Sequence, residues 1–192
     1  MFIDEAWAKT NMTRTRGRAP VGERLVARIP HGHWKTTTLI AALDQQGMRC
    51  SMTLDGAVNQ EAFESFVEQV LIKTLSRGDV VVMDNLSSHK GARVKQLIES
   101  AGATLLYLPP YSPDLNPIEM AFSKLKQLLR SAAHRTVETL WQNLQGMLDQ
   151  ITTSDAANFV RHCGYVLQTK YVRSKRCPKN RRRDLPHAMP PA

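Results

Sequence analysis

Apolar positions in this chain recur at two periods, every second residue and every third to fourth, and the changes between them outline an α/β domain. Phe2–Ala8 (FIDEAWA) reads as a short strand. Arg14–Gly22 (RTRGRAPVG) is turn-rich, and Glu23–Pro30 (ERLVARIP) then shows the alternation of a strand. Thr36–Leu43 (TTTLIAAL) and Met48–Leu54 (MRCSMTL) are two further strand patterns. With Asp44–Gly47 between them, they predict a hairpin with a longer loop. Asn59 stands as a helix N-cap. After it Phe63, Phe66, Val67, Val70, Leu71 and Leu75 recur at helical steps, predicting a helix of about 16 residues.

Asp79–Asn85 (DVVVMDN) is an apolar run bounded by polar residues, the pattern of a buried central strand. Lys90–Ala101 is helical by period, with Gly102 placed to end it, and Thr104–Leu108 is another short strand. Ile118, Ala121, Phe122, Leu125, Leu128 and Leu129 define the next helix, Val137–Ile151 a further one, and Asp155–His162 a last. The order implies a mixed β-sheet flanked by helices. The first strands meander antiparallel, and the later ones, connected through helices, lie parallel.

Composition changes this picture little. At 192 residues the chain suits one domain, and its 42% hydrophobic and 22% charged content is ordinary for a soluble globular protein. No apolar run approaches a membrane span, and the acidic pair in MFIDEAWAK is unlike a signal peptide. The expectation is therefore a cytoplasmic protein. Three widely spaced cysteines (Cys50, Cys163, Cys177) fit a reduced compartment and argue against a zinc cluster.

Charge adds a partner. Of the net +9, six charges fall in Tyr171–Ala192, a basic, proline-rich tail with little to bury and expected to be disordered. A second basic stretch, Lys9 to Arg28, includes Arg14, Arg16 and Arg18. Clusters of this kind suit a polyanion, because each phosphate contacted releases counterions. They equally suit a solvated surface.

The chemistry gathers around one loop. Tyr107–Phe122 (YLPPYSPDLNPIEMAF) carries four prolines, Pro109, Pro110, Pro113 and Pro117, and then Glu119. Asp84 ends the apolar strand, at the edge where ligands bind in open α/β sheets. The helix after it travels about 18 Å away. The strand after that returns about 16 Å, so the proline loop begins at the same edge. Asn116 is placed to cap the following helix, with Pro117 at its first position and Glu119 in its first turn. The Asn116–Glu119 spacing also matches a capping box, which would give Glu119 a purely local role. Asp84 likewise has a local reading as an Asx turn. Asp4 is harder to assign locally: alternation sets Phe2 and Asp4 on one strand face and Ile3 and Glu5 on the other, so at least one acid faces inward. An inward carboxylate is costly unless a partner or a cation relieves it. Three carboxylates suit a hard cation such as magnesium. The chain has no P-loop, no GxSxG and no HExxH.

Three segments together, FIDEAWAKTNMTRTRGRAP, VVVMDNLSSHKG and YLPPYSPDLNPIE, resemble the DDE transposases. The branch they resemble is the bacterial insertion sequences related to mariner elements. The separation of Asp84 and Glu119, with 34 residues between them, fits that subgroup, and the likeness runs from about Met1 to Leu167. The resemblance implies an RNase H-like fold over residues 1–170, followed by the 171–192 tail. It makes Asp4, Asp84 and Glu119 the catalytic, metal-holding acids for Mg²⁺ or Mn²⁺, as two ions. Asn85 and His89 match motif positions beside the site, in roles that support it or orient substrate. Lys124 and Lys126 become candidate phosphate contacts. The activity implied is hydrolysis of a phosphodiester at a transposon end, followed by joining of the 3′-hydroxyl to double-stranded target DNA, usually at TA.

Such transposases carry an N-terminal helix-turn-helix, which does not precede the first catalytic strand here. An upstream-frame helix-turn-helix half is therefore an expected partner, together with a homodimer on DNA in the bacterial nucleoid. Two other readings stay open: an inactive remnant that binds DNA or inhibits a full transposase, and a stand-alone nuclease on the same fold.

Overall fold

The computed structural model describes residues 1–31, 34–86 and 89–166. The tail expected from Tyr171 onward lies outside them. Five strands form one mixed sheet in the order β3-β2-β1-β4-β5. They are β1 (Phe2–Lys9), β2 (Thr36–Asp44), β3 (Gly47–Asp55), β4 (Val80–Met83) and β5 (Thr104–Tyr107). β1, β2 and β3 pair antiparallel, whereas β4 is parallel to both β1 and β5. α2 (Ala92–Ser100) provides the crossover that parallel β4 and β5 require.

Alternation along β1 feeds two cores. Phe2, Ala6 and Ala8 pack with Leu39, Ala41 and Leu43 beneath α3 (Pro117–Ala132), α4 (Val137–Leu148) and α5 (Thr153–His162). Ile3, Ile40, Ala42, Val81 and Met83 face α1 (Gln60–Phe66), the wider turn that continues it, and α2. The result is a three-layer α/β/α domain with a mixed sheet flanked by helices, as the residue pattern implies. α3 is anchored by Ile118, Phe122 and Leu125, each essentially buried. Burial of side chains this size stabilises by about 1.5–3 kcal/mol each.

Several expectations are corrected. Glu23–Pro30 forms no strand: Leu25, Val26 and Ile29 lie exposed in the long connection from β1 to β2. It pairs with no strand of the sheet, which is built from β1 to β5 alone among the described residues. The β2–β3 loop is tight, with Asp44 paired to Gly47; a register shift at Ala42/Leu43 absorbs the extra residue. The helix after Asn59 is shorter than expected. α1 gives way at Val67–Leu71 to a π-turn closed by Ile72 N–H to Val67 O at 3.0 Å. β4 lies inside the sheet between β1 and β5, with Val81 and Met83 buried, but Val80 at its start is exposed.

One feature of the register positions the site. Only Phe2 and Ile3 of β1 pair with β4, opposite Val82 and Met83. From Asp4 onward β1 runs past the end of β4.

Candidate active site

A cavity of about 330 Å³ opens where β4 and β5 end. Asp4, Asp84, Asn85, Asn116 and Glu119 line it, and the proline loop from Leu108 to Pro113 forms one wall. Each acid arrives on a different element: Asp4 where β1 outruns β4, Asp84 directly after β4, and Glu119 in the first turn of α3. The loop is stiff, and at its rim the fully exposed Tyr111 adopts a left-handed backbone (φ 56°) that non-glycine residues rarely take.

Asp4 is 7% exposed. Its Oδ1 accepts the Glu5 N–H at 2.7 Å and its Oδ2 accepts Asn116 Nδ2–H at 2.8 Å. Burial pushes its carboxyl up to about 7; the Glu5 N–H bond opposes this, and the charges of Glu119, Asp84 and Glu5 add to it. Asp4 therefore sits in surplus negative charge.

Asp84 has a different environment. Its Oδ1 accepts the Leu86 N–H at 3.2 Å, so the Asx turn exists and Asp84 still lines the cavity. The same oxygen lies 2.6 Å from His89 Nδ1, a short charged contact made away from the ring N–H axis. Partial burial pushes Asp84 up, but its contacts with His89 outweigh this and hold it below the usual carboxylate range.

His89 is fully buried, stacked on Phe63 at 4.2 Å, and its Nε2 lies 2.9 Å from Glu5 Oε1. Burial opposes its charge, yet Asp84 and Glu5 raise it to about 9, making it an imidazolium at neutral pH. His89 thus contacts Asp84 and Glu5 and does not line the cavity. Glu5 completes a Glu5–His89–Asp84 chain that sequence reasoning did not identify. Its signal was the inward-facing acid pair in β1: both acids turn inward, on opposite faces of the strand.

The local alternative for Glu119 fails. The Asn116 side chain makes no cap bond to α3, and its backbone N–H donates to Pro113 O at 3.0 Å. Asn116 occupies the N-cap position, but its side chain is turned to Asp4 instead. The capping box lies elsewhere, between Thr152 and Asp155 at the start of α5.

The expected basic contacts divide. Lys124 donates to Asp155 Oδ2 at 2.7 Å and to Gln150 O at 2.9 Å, which ties α3 to the start of α5. Lys126 lies two helical turns from Glu119, with its Nζ 5.1 Å from the exposed Trp7 ring. Lys9 Nζ lies 4.9 Å from the same ring. Arg14, Arg16 and Arg18 are exposed in the β1–β2 connection. Among the described residues, no three His, Cys, Asp or Glu side chains are gathered closely enough to cage an ion by themselves. No helix of the described residues is long and apolar enough to cross a membrane.

A family model described as "DDE superfamily endonuclease" matches residues 1–141. Among solved structures, the Mos1 transposase paired-end complex with left transposon end is similar at 20% identity and a TM-score of 0.68. That match covers 84% of this chain and 51% of that one. The Mos1 paired-end complex with Mn is similar at 20% identity and a TM-score of 0.64, over 84% and 51%. The catalytic domain of Mos1 mariner transposase is similar at 17% identity and a TM-score of 0.59, over 84% of this chain and 76% of that one. The chain spans about half the length of the proteins in the complexes. No curated protein matches it.

Proposed function

Because the chain belongs to the DDE superfamily endonucleases, we propose that it is a transposase catalytic domain of the mariner-related insertion-sequence branch, cutting and joining double-stranded DNA at transposon ends. The observation that carries this reading is the convergence of Asp4, Asp84 and Glu119, distant in sequence and borne on three elements, around one cavity at the strand ends.

The donor set fits Mg²⁺ or Mn²⁺. All candidate ligands are hard oxygens, and magnesium binds through one or two carboxylates plus waters and substrate phosphate, so a complete protein cage is not required. The buried Asn116 Oδ1 has no partner, and Asp4 lies among like charges. Both conditions are relieved by a hydrated cation. When bound, one or two such ions would supply Lewis-acid activation of the attacking oxygen and charge neutralisation at the phosphate.

Asp4, Asp84 and Glu119 would hold the cation. His89 and Glu5 keep Asp84 ionised and oriented, with Oδ1 engaged and Oδ2 left for the cavity. In the first step a water oxygen bonds to phosphorus and the P–O3′ bond breaks, leaving a 3′-hydroxyl and a 5′-phosphate. In the second, that 3′-hydroxyl attacks a target phosphodiester, displacing the target's own 3′-oxygen. The half-buried Lys9 and Lys126 beside Trp7, with the exposed Arg14, Arg16 and Arg18, are the basic groups proposed to meet DNA. A helix-turn-helix half and a second catalytic subunit on DNA complete the proposed assembly.

Nicking of supercoiled plasmid in Mg²⁺ or Mn²⁺ tests this. Wild type is expected to nick, and Asp84→Asn and Glu119→Gln to lose nicking by at least 100-fold. Nicking that persists in both variants would overturn the assignment of the acids. A plasmid left intact by wild type in either metal, even with a helix-turn-helix domain fused upstream, would favour the inactive-remnant reading.

A further inference from the structure

Asn116 is held in a way that its own helix does not explain. Asparagine is among the best N-cap residues, and a cap bond here would stabilise α3. The residue stands at the N-cap, yet no side-chain bond reaches the helix. The backbone does the local work instead: Asn116 N–H donates to Pro113 O, and Asn116 O accepts the Glu119 N–H at 3.1 Å. The side chain crosses to β1, where Nδ2–H donates to Asp4 Oδ2 at 2.8 Å.

Its other end is costly. Asn116 is 3% exposed, and its Oδ1 is buried with no hydrogen-bond partner. A buried acceptor left unpaired forfeits its hydration without recompense, and such groups in folded proteins call for an explanation. This one lies at the wall of the cavity that Asp4, Asp84 and Glu119 share. The residue thus forgoes a cap and leaves an acceptor open, both at the same site.

We propose that Asn116 is a neutral member of the cation site: through Nδ2 it fixes the orientation of Asp4, and through Oδ1 it accepts a hydrogen bond from a water of the bound cation. The inference rests on the reading of the three acids as cation ligands. Magnesium keeps several of its waters when bound, and a metal-bound water is a strong donor that an open carbonyl oxygen suits. An amide is also the fitting residue type. A second carboxylate at this position would add to the negative charge around Asp4, and a hydroxyl is too short to replace both ends of the carboxamide. The proline loop serves this role by holding Asn116 through Pro113 while α3 begins at Pro117.

The test is calorimetric titration of the whole chain with Mn²⁺, alongside melting curves in chelator, for wild type, Asn116→Ala, Asn116→Ser and Asp84→Asn. Serine is the informative substitution, because it caps a helix as well as asparagine but cannot span to Asp4. Removing a residue that orients a metal ligand typically weakens metal affinity by about 10- to 100-fold. Asn116→Ala and Asn116→Ser are expected to lose Mn²⁺ affinity in that range, with the serine variant melting within a few degrees of wild type in chelator. If Asn116→Ala does not fold, the serine variant carries the comparison alone. Affinities within about twofold of wild type, with binding lost in Asp84→Asn, would overturn the role of Asn116 and leave the acids as ligands. Absence of saturable Mn²⁺ binding by wild type would overturn both readings.

Discussion

At the scale of single residues, the two aspartates at this site are set apart by their neighbours. Asp84 has the cationic His89 against it, whereas Asp4 has only N–H donors and faces other carboxylates. The sign of the pH dependence follows. Asp4 rises from 3.8 to about 7 on folding, so the metal-free folded state binds its proton more tightly than the unfolded chain. That contribution to stability is complete below pH 3.8 and is lost as pH rises through about 7. His89, raised from 6.5 to about 9, adds a contribution complete below 6.5 and lost as pH passes 9. Melting temperature in chelator should therefore fall from pH 4 to pH 9. Asp4→Asn should flatten the lower part of the decline, up to about pH 7, and leave the upper part. Mg²⁺ should raise the wild-type melting temperature by several degrees at pH 8 and far less at pH 5. A wild-type profile identical to that of Asp4→Asn would contradict the raised Asp4.

At the scale of elements, α3 performs two tasks on two sides. Its first turn carries Glu119 to the cavity, while its buried stripe and Lys124 bind it to the rest of the domain. Asp155 is the hub of the second task, accepting from Lys124, from the Thr152 hydroxyl and from the Thr152 N–H. These bonds, Lys124 foremost, depress Asp155 from 3.8 to about 2. Its contribution is thus present above pH 3.8 and lost as pH falls through 2. Loss of such a cap costs about 0.5–2 kcal/mol. In a domain of this size that is roughly 1–8 °C of melting temperature. Asp155→Ala should show that loss at pH 7 and almost none near pH 2. An equal loss at both pH values would mean that the ion pair and capping box contribute nothing.

At the scale of the whole molecule, sheet order decides where DNA is expected to meet the protein. Because β1 outruns β4, its far end carries Trp7 and Lys9 past the end of β4, and Lys126 of α3 comes up beside them. Lys124, on the same helix, is committed to α5. The two lysines should therefore separate in DNA binding measured against salt. Each phosphate contact removed lowers the slope of log K against log salt by about 1. Lys126→Ala is expected to lower the slope by about that much, and Lys124→Ala to lower thermal stability with the slope unchanged. The reverse result would move the DNA path to the α3–α5 side.

What the sequence determined by itself was the part governed by local periodicity and by the chemistry of short segments. Alternation in β1 to β3, the helical stripes of α2 to α5 and the proline-stiffened delivery of Glu119 are legible because side-chain spacing repeats the backbone period. That Asp84 and the proline loop bearing Glu119 share one edge was legible as well, from element lengths that return the chain, whereas Asp4 was joined to them only by the family resemblance. Tertiary structure decided every pairing between distant residues. Alternation in Glu23–Pro30 made no strand, because no strand of the sheet pairs with it. Asn116 was expected to cap its own helix and holds Asp4, 112 residues away, instead. Glu5 gained its place through His89, 84 residues away, and Lys124 found a partner in Asp155, 31 residues away. A polar side chain bonds to the partner that folding brings within about 3 Å, and that distance is set by the packing of whole elements rather than by neighbours in the chain.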